Sequence, residues 1–195
     1  TGPSGTQDFK GSHIVLASGG CAANPRLFEE LHGVPLYAKT AYPTSQGDGL
    51  ILGMSAGAAI VGGEKYASLP GLVPDAWQYP AQMYAWAPLH PVVRQPWEIL
   101  VNAHGERFVR EDHPSLHQIE RGIYRQPGHR HWAIFDADML AKSEPIIPGW
   151  SRDRLATEYQ THPMFSRAMS IEELAFRAGI NASSLSQNID DYNQR

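Results

Sequence analysis

The sequence predicts an α+β fold. Three observations carry that expectation. Short apolar runs rich in β-branched or aromatic residues stand at 10–17, 99–101 and 131–135, each the length of a strand and bounded by turn residues. Segments of helical periodicity with cap residues lie between and after them. The composition, 42% hydrophobic and 18% charged over 195 residues and 21.5 kDa, is that of a globular chain able to bury one core, or one domain with a smaller appendage.

The first run, Lys10 to Ala17, is short enough for a buried strand and passes directly into Ser18-Gly19-Gly20. Two glycines after a strand permit positive φ and the close approach of a ligand or of another backbone. Asn24-Pro25 supplies an N-cap and an N1 proline, and the helix that follows runs to about His32, where Gly33 caps it. Tyr42 to Gly49 is a loop of polar and small residues opening into Leu50, Ile51, Met54 and Ala58 at helical spacing. The amides at Gly47 to Gly49 suit an anion such as a phosphate, because a helix N-terminus carries unpaired N–H groups. A glycine-rich cap with Asp48 satisfying it explains the same residues.

Inside that helix, Gly53-Met-Ser-Ala-Gly57 has the form of a hydrolase nucleophile elbow centred on Ser55. An elbow needs a buried strand before the serine, and only Leu50 to Leu52 precede it, after a capping loop. Small residues here serve close packing. From Tyr66 to Pro96 the chain is dense in proline and aromatics and reads as loop. Arg94, a forked and permanent cation, stands at its end.

Trp97 to Ser115 is the stretch the chain is organised around. Ile99-Leu-Val101, a turn at Asn102 to Gly105, and Phe108-Val109 predict a β-hairpin. Charges crowd its far end, and His113-Pro114-Ser115 opens a helix through Leu116, Ile119 and Ile123 to about Arg125. His131 to Phe135 is a strand, Asp136 opens a short helix through Leu140, and 143–168 reads as irregular. The tail is a capping box at Ser170 to Glu173, a helix ending at Gly179, and a second helix capped by Asn181 with Leu185, Ile189 and Tyr192 on one face.

The totals exclude several functions. A net charge of −4 with scattered Lys and Arg argues against nucleic acid, and no apolar run reaches the length of a membrane span. Cys21 is alone, so it forms no internal disulfide and a reducing compartment, the cytoplasm, is expected. The nine histidines include close pairs, but a zinc site would need them to converge, so no metal is expected. The start, Thr-Gly-Pro-Ser-Gly, is no signal peptide and lacks Met, as a piece of a longer chain would.

Four segments together resemble the fumarate reductase and 3-ketosteroid dehydrogenase family of flavoproteins: Val15-Leu-Ala-Ser-Gly-Gly20 with Asn24-Pro25, Thr44-Ser-Gln-Gly-Asp-Gly49, Val101-Asn-Ala-His-Gly-Glu-Arg-Phe108, and Ser170 to Asn193. The resemblance implies the capping (substrate) domain of such a flavoprotein with one flavin-domain strand attached. Residues 1–49 would belong to the flavin-binding edge and 50–195 to the capping domain. It implies FAD as cofactor, faced by Ser18, Gly19, Gly20, Asn24, Gly47, Asp48 and Gly49, and a small-molecule substrate with a carbonyl or carboxylate, faced by Arg94, Arg107 and the stretch to Ser115. The activity implied is hydride transfer between flavin N5 and a carbon beside that group. The flavin-domain halves that would complete the site are expected to be missing partners, which would leave this chain inactive alone.

The sequence departs from the family at the substrate side. Fumarate reductases carry a proton-delivering Arg eight positions after the Arg of the Arg-Phe pair, and here that place is Ser115. Their relay Arg aligns with Arg94, but the Glu three before it is Pro91. The Pro-Tyr of ketosteroid dehydrogenases is matched by Pro114 and not by a Tyr. A serine has neither the pKa nor the reach of Arg or Tyr. On the residues alone, a binding or interaction module without redox activity and a serine hydrolase using Ser55 remain open.

Overall fold

A computed structural model describes residues 5–6, 8–66, 70–91 and 93–194. The N-terminal Thr1 to Ser4 and the terminal Arg195 lie outside them. The chain forms two compact units, Thr1–Tyr66 and Ala67–Arg195.

In the first unit, helix α1 (Pro25–His32) starts where predicted. Asn24 accepts the Leu27 N–H through its side chain, Pro25 occupies the first turn, and Gly33 (φ 69°) closes the helix by donating to Glu29. After a two-residue strand β1 (Ala38–Lys39) comes α2 (Asp48–Ser55), entered through Gly47 at φ 85°. The expected Asp48 cap does not form. The N-cap position is Gly47, whose left-handed backbone turns the chain into the helix and which has no side chain to cap it. The strand expected over 10–17 is absent as well. Ile14 and Val15 are exposed, Val15 by 88%, and no strand pairs with them among the described residues. Their β-branched pattern suits a buried strand, but a strand needs a ladder neighbour as well as a pattern.

The second unit is built on β4 (Ile99–Val101), all three residues of which are buried. Alternation along the strand sends Leu100 into one core, with Ile119, Ile123, Ile147, Trp150 and Leu155, and Ile99 and Val101 into another, with Ala175, Ile180 and Leu185. A three-residue strand therefore ties two clusters together. Its antiparallel partner is β5 (Trp132–Ile134), in the register Ile99↔Ile134, Leu100↔Ala133, Val101↔Trp132.

This corrects the predicted hairpin. The turn itself forms, with Asn102 N–H donating to the Glu106 carbonyl at 3.0 Å, but only one bridge, Val101↔Arg107, follows. The Leu100 N–H, which a longer ladder would give to the returning backbone, donates to Glu111 Oε1 at 2.8 Å. A carboxylate has taken the place of a strand.

Two segments read as irregular are ordered. Strands β2 (Leu72–Pro74) and β3 (Ala81–Trp86) pair antiparallel with a bulge between Val73 and Pro74. Proline is tolerated because the bulge sits there and the strand is short. Helix α5 (Arg152–Thr161) occupies the second segment, with Ser151 accepting the Arg154 N–H. It buries only Leu155 and Glu158, too few apolar residues to show a period. The remaining helices, α3 (Leu116–Tyr124), α4 (Ala137–Lys142), α6 (Ile171–Ala178) and α7 (Ala182–Asn193), lie where their caps predict. Among the described residues no helix is long and apolar enough to cross a membrane.

Candidate functional site

The seven residues expected at a cofactor come from two loops of the first unit, and the structure fastens those loops together. Gly49 N–H donates to Ser18 Oγ at 3.0 Å, Ser45 Oγ donates to the Gly20 carbonyl at 3.1 Å, and Ala23 N–H donates to the Ser45 carbonyl at 2.9 Å. Asn24 adds a bond from Nδ2 to the Gln46 carbonyl while its Oδ1 caps α1. Asp48 is exposed in the first turn of α2.

The glycines divide into two kinds. A Cβ on Gly47 would meet Leu27 and Cys21 at 2.5 and 2.9 Å, and one on Gly49 would meet Ser18 Oγ at 2.3 Å. These two are required by the protein's own packing. Gly19 (φ 86°) and Gly20 have nothing within 4 Å of an added Cβ, so their backbone is bare on that side. A bare diglycine fastened beside a helix N-terminus is a surface that a cofactor's polar edge can approach closely, so the residues present fit FAD.

On the second unit, Arg94 and Arg107 are each held by a buried carboxylate. Arg94 Nε donates to the Pro88 carbonyl at 3.0 Å, Nη1 to Glu98 Oε2 at 3.0 Å, and Nη2 to Glu98 Oε1. Glu98 Oε2 also accepts the Trp97 N–H. Arg107 Nε meets both oxygens of Glu111 at 2.9 Å, Nη2 donates to Oε2, and the guanidinium lies 5.1 Å from the Tyr192 ring centroid. The bond to Glu111 pushes the Arg107 pKa further up, so the group is a fixed cation. Buried carboxylates are sustained only when charge and hydrogen bonds are supplied together, and both are supplied here.

Arg94, Glu98 and Glu111 line one crevice with Pro88, His90 and Leu100, with room for little more than a water molecule. Arg107 reaches that crevice through Glu111. Ser115 stands apart at the start of α3, half-buried, its N–H donating to His113 Nδ1 at 3.1 Å and its hydroxyl making no cap bond. The expected elbow serine, Ser55, sits in the last turn of α2 with its hydroxyl on the Leu52 carbonyl. That position has neither a preceding strand nor a strained turn, which corrects the hydrolase reading.

The turn between Val101 and Arg107 explains its own sequence. Asn102 accepts the His104 and Glu106 N–H groups at 2.9 and 3.0 Å and donates to Glu106 and Gln126. Gly105 (φ 76°) approaches α7 so closely that a Cβ would lie 2.6 Å from both the Asn181 carbonyl and the Leu185 nitrogen. The chain then enters Arg107, whose N–H donates to Asn188 Oδ1. Glu98, Glu111, Asn188 and Tyr192, which hold the arginines, were not identified from sequence. The four-residue spacing of both Arg-Glu pairs was the available signal, hidden because such spacing is read as a helix pattern and neither pair is helical.

This α+β architecture, with its fastened glycine loops, is that of a flavoprotein segment: residues 3–195 match the FAD binding domain family, and the chain belongs to it. Curated relatives of two kinds are similar to this chain. The chain is 26% identical over 217 residues to a 3-oxosteroid 1-dehydrogenase of Mycolicibacterium smegmatis, covering 94% of this chain and 36% of that protein. It is 24% identical to a probable fumarate reductase of Shewanella frigidimarina, covering 92% and 27%. A flavocytochrome c3 fumarate reductase in its open conformation matches in structure with a TM-score of 0.54, at 20% identity, over 91% of this chain and 28% of that one. The fold is therefore fumarate reductase-like. The chain spans about a third of the length of the curated relatives it matches.

Proposed function

We propose that this chain is the capping (substrate) portion, with a segment of the flavin domain, of an FAD-dependent oxidoreductase that adds or removes hydrogen at a carbon–carbon bond next to a carbonyl or carboxylate. Residues 1–49 would lie at the flavin edge and 50–195 would form the cap, and the single buried cysteine suits a reducing cytoplasm. The observation that carries the reading is the bare Gly19-Gly20 backbone fastened to the head of α2 in a chain of this family.

FAD, when bound, supplies hydride transfer at its N5 position. The chain's own residues bind and orient. Ser18, Asn24, Gly47 and Gly49 shape the two loops, Asp48 stands in the first turn of α2, and Gly19 and Gly20 admit the cofactor. On the substrate side, Arg94 has its donors committed to Pro88 and Glu98, so it positions the Trp97–Glu98 segment. Arg107 keeps Nη1 without a hydrogen bond among the described residues, which leaves it donors for a carbonyl or carboxylate oxygen. The names of the relatives, 3-oxosteroid dehydrogenase and fumarate reductase, specify substrates with such oxygens. The Ser115 hydroxyl is a further polar group on that side, able to donate or accept a hydrogen bond.

Gly20→Leu in the complete protein tests the assignment. A Cβ there meets nothing within 4 Å in this chain and Gly20 is exposed, so folding should be kept while flavin absorbance per protein falls at least fivefold. Full flavin occupancy would remove the diglycine from the cofactor site.

A further inference from the structure

Outside the flavin and substrate residues, two loops of the second unit converge on one cation. The β2–β3 loop carries Trp77 and Tyr79, and the turn before β5 carries Arg130. In that turn Gly128 (φ 62°) and His129 (φ 53°) are successive left-handed residues, a conformation uncommon for histidine, and the reversal delivers Arg130 over the aromatic loop. The Arg130 guanidinium carbon lies 4.3 Å from the Trp77 ring centroid and 5.8 Å from that of Tyr79. Trp77 is backed in turn by Trp132 of β5, 6.5 Å away, so both loops fix the platform.

A guanidinium drawn to ring faces by its charge can keep its N–H donors for other partners. Arg94, Arg107, Arg110, Arg154 and Arg177 of the same unit each meet a carboxylate. The Arg130 guanidinium donates no hydrogen bond and joins no ion pair among the described residues. The acid in the facing loop, Asp75, spends Oδ1 on the Gln82 N–H at 3.0 Å and is not its partner. A half-buried cation is thus held in place by rings with its donor edge unused. Beside it Trp77 keeps 41% of its surface exposed.

We propose that Arg130, Trp77 and Tyr79 form a binding site for an aromatic carboxylate. The carboxylate would accept two parallel N–H bonds from the Arg130 fork, and the ligand's ring would lie against the exposed part of Trp77. An anion without a ring gains only the fork, and a ring without charge only the stack. The site shares no residue with the flavin and substrate assignments, so it stands or falls independently of them.

Calorimetric titration of the protein with 2-naphthoate tests the site, with acetate and 2-naphthalenemethanol as the two half-ligands. One-to-one binding of 2-naphthoate, at least tenfold tighter than either half-ligand, is expected. Arg130→Gln and Trp77→Leu should each weaken it at least tenfold, with far-UV circular dichroism unchanged. Arg130→Lys, which keeps the charge and loses the fork, should weaken it severalfold. Absence of 2-naphthoate binding, equal binding of acetate, or an Arg130→Gln or Arg130→Lys protein that binds like the wild type would overturn the proposal.

Discussion

The Leu100 N–H and the Glu111 carboxylate meet at 2.8 Å across eleven residues of chain, and the same carboxylate clamps Arg107. One buried acid therefore ends the β4 ladder and fixes the Arg107 cation. Removing one partner of a buried pair costs about 3–5 kcal/mol where the survivor stays dry. Arg107 is a quarter exposed, so water relieves part of that. Glu111→Ala should lose about 3 kcal/mol in urea denaturation. Glu111→Gln, which keeps an acceptor for Leu100, should lose about half as much. An alanine variant within 0.5 kcal/mol of wild type, about the size of an ordinary surface change, would show that the pair holds nothing.

Gly105 makes a sharper test, because two of its costs can be separated. Its φ of 76° alone costs an alanine about 1 kcal/mol. Its Cβ would also strike backbone atoms of Asn181 and Leu185 at 2.6 Å, and backbone cannot swing aside. Gly149 has a similar φ of 78° and nothing within 4 Å. Gly105→Ala should then destabilise by at least about 2 kcal/mol more than Gly149→Ala, an overpacking cost. Equal losses would mean the turn does not press on α7.

What the sequence disclosed follows how local each feature is. The caps of α1, α6 and α7 were legible because Asn24, Ser170 and Asn181 bond to N–H groups three residues ahead. The partner of β4 was not, since Ile134 lies far along the chain from Ile99 and nothing near either residue specifies the other. Helix α5 escaped notice because its buried face is a single leucine, Leu155, and a glutamate, Glu158, held by the Tyr84 hydroxyl at 2.7 Å from another element. Of the candidate site, the two glycine loops were visible as composition and the two arginines by alignment to a family pattern. Their carboxylates, Glu98 and Glu111, belong to tertiary packing.

Cys21 lies between the two glycine loops, 4% exposed, and burial pushes its thiol pKa up. Thiolate is the reacting species, so access and ionisation are both suppressed. Native protein at pH 8 should react with a disulfide reagent at least a hundredfold more slowly than protein in denaturant. Rapid stoichiometric labelling of native protein would place Cys21 at the surface and undo the packing assigned to Gly47.

His131 should make the second unit sensitive to acid. Its ring packs edge-on to Phe108, centroids 6.3 Å apart, and burial pushes its pKa down to about 4 from an ordinary value near 6.5. The folded state therefore holds the ring neutral where the unfolded chain would protonate it. Between those two values the unfolded state binds more protons, so stability is intact above about pH 6.5 and falls as the pH drops toward about 4. The shift corresponds to a loss of at most about 3 kcal/mol. His131→Phe keeps a ring against Phe108 and removes the titration. Denaturant unfolding from pH 7 to pH 4 should show the wild type losing more stability than the variant, with the difference opening below pH 6.5. Parallel curves would mean that His131 is solvated in the folded protein.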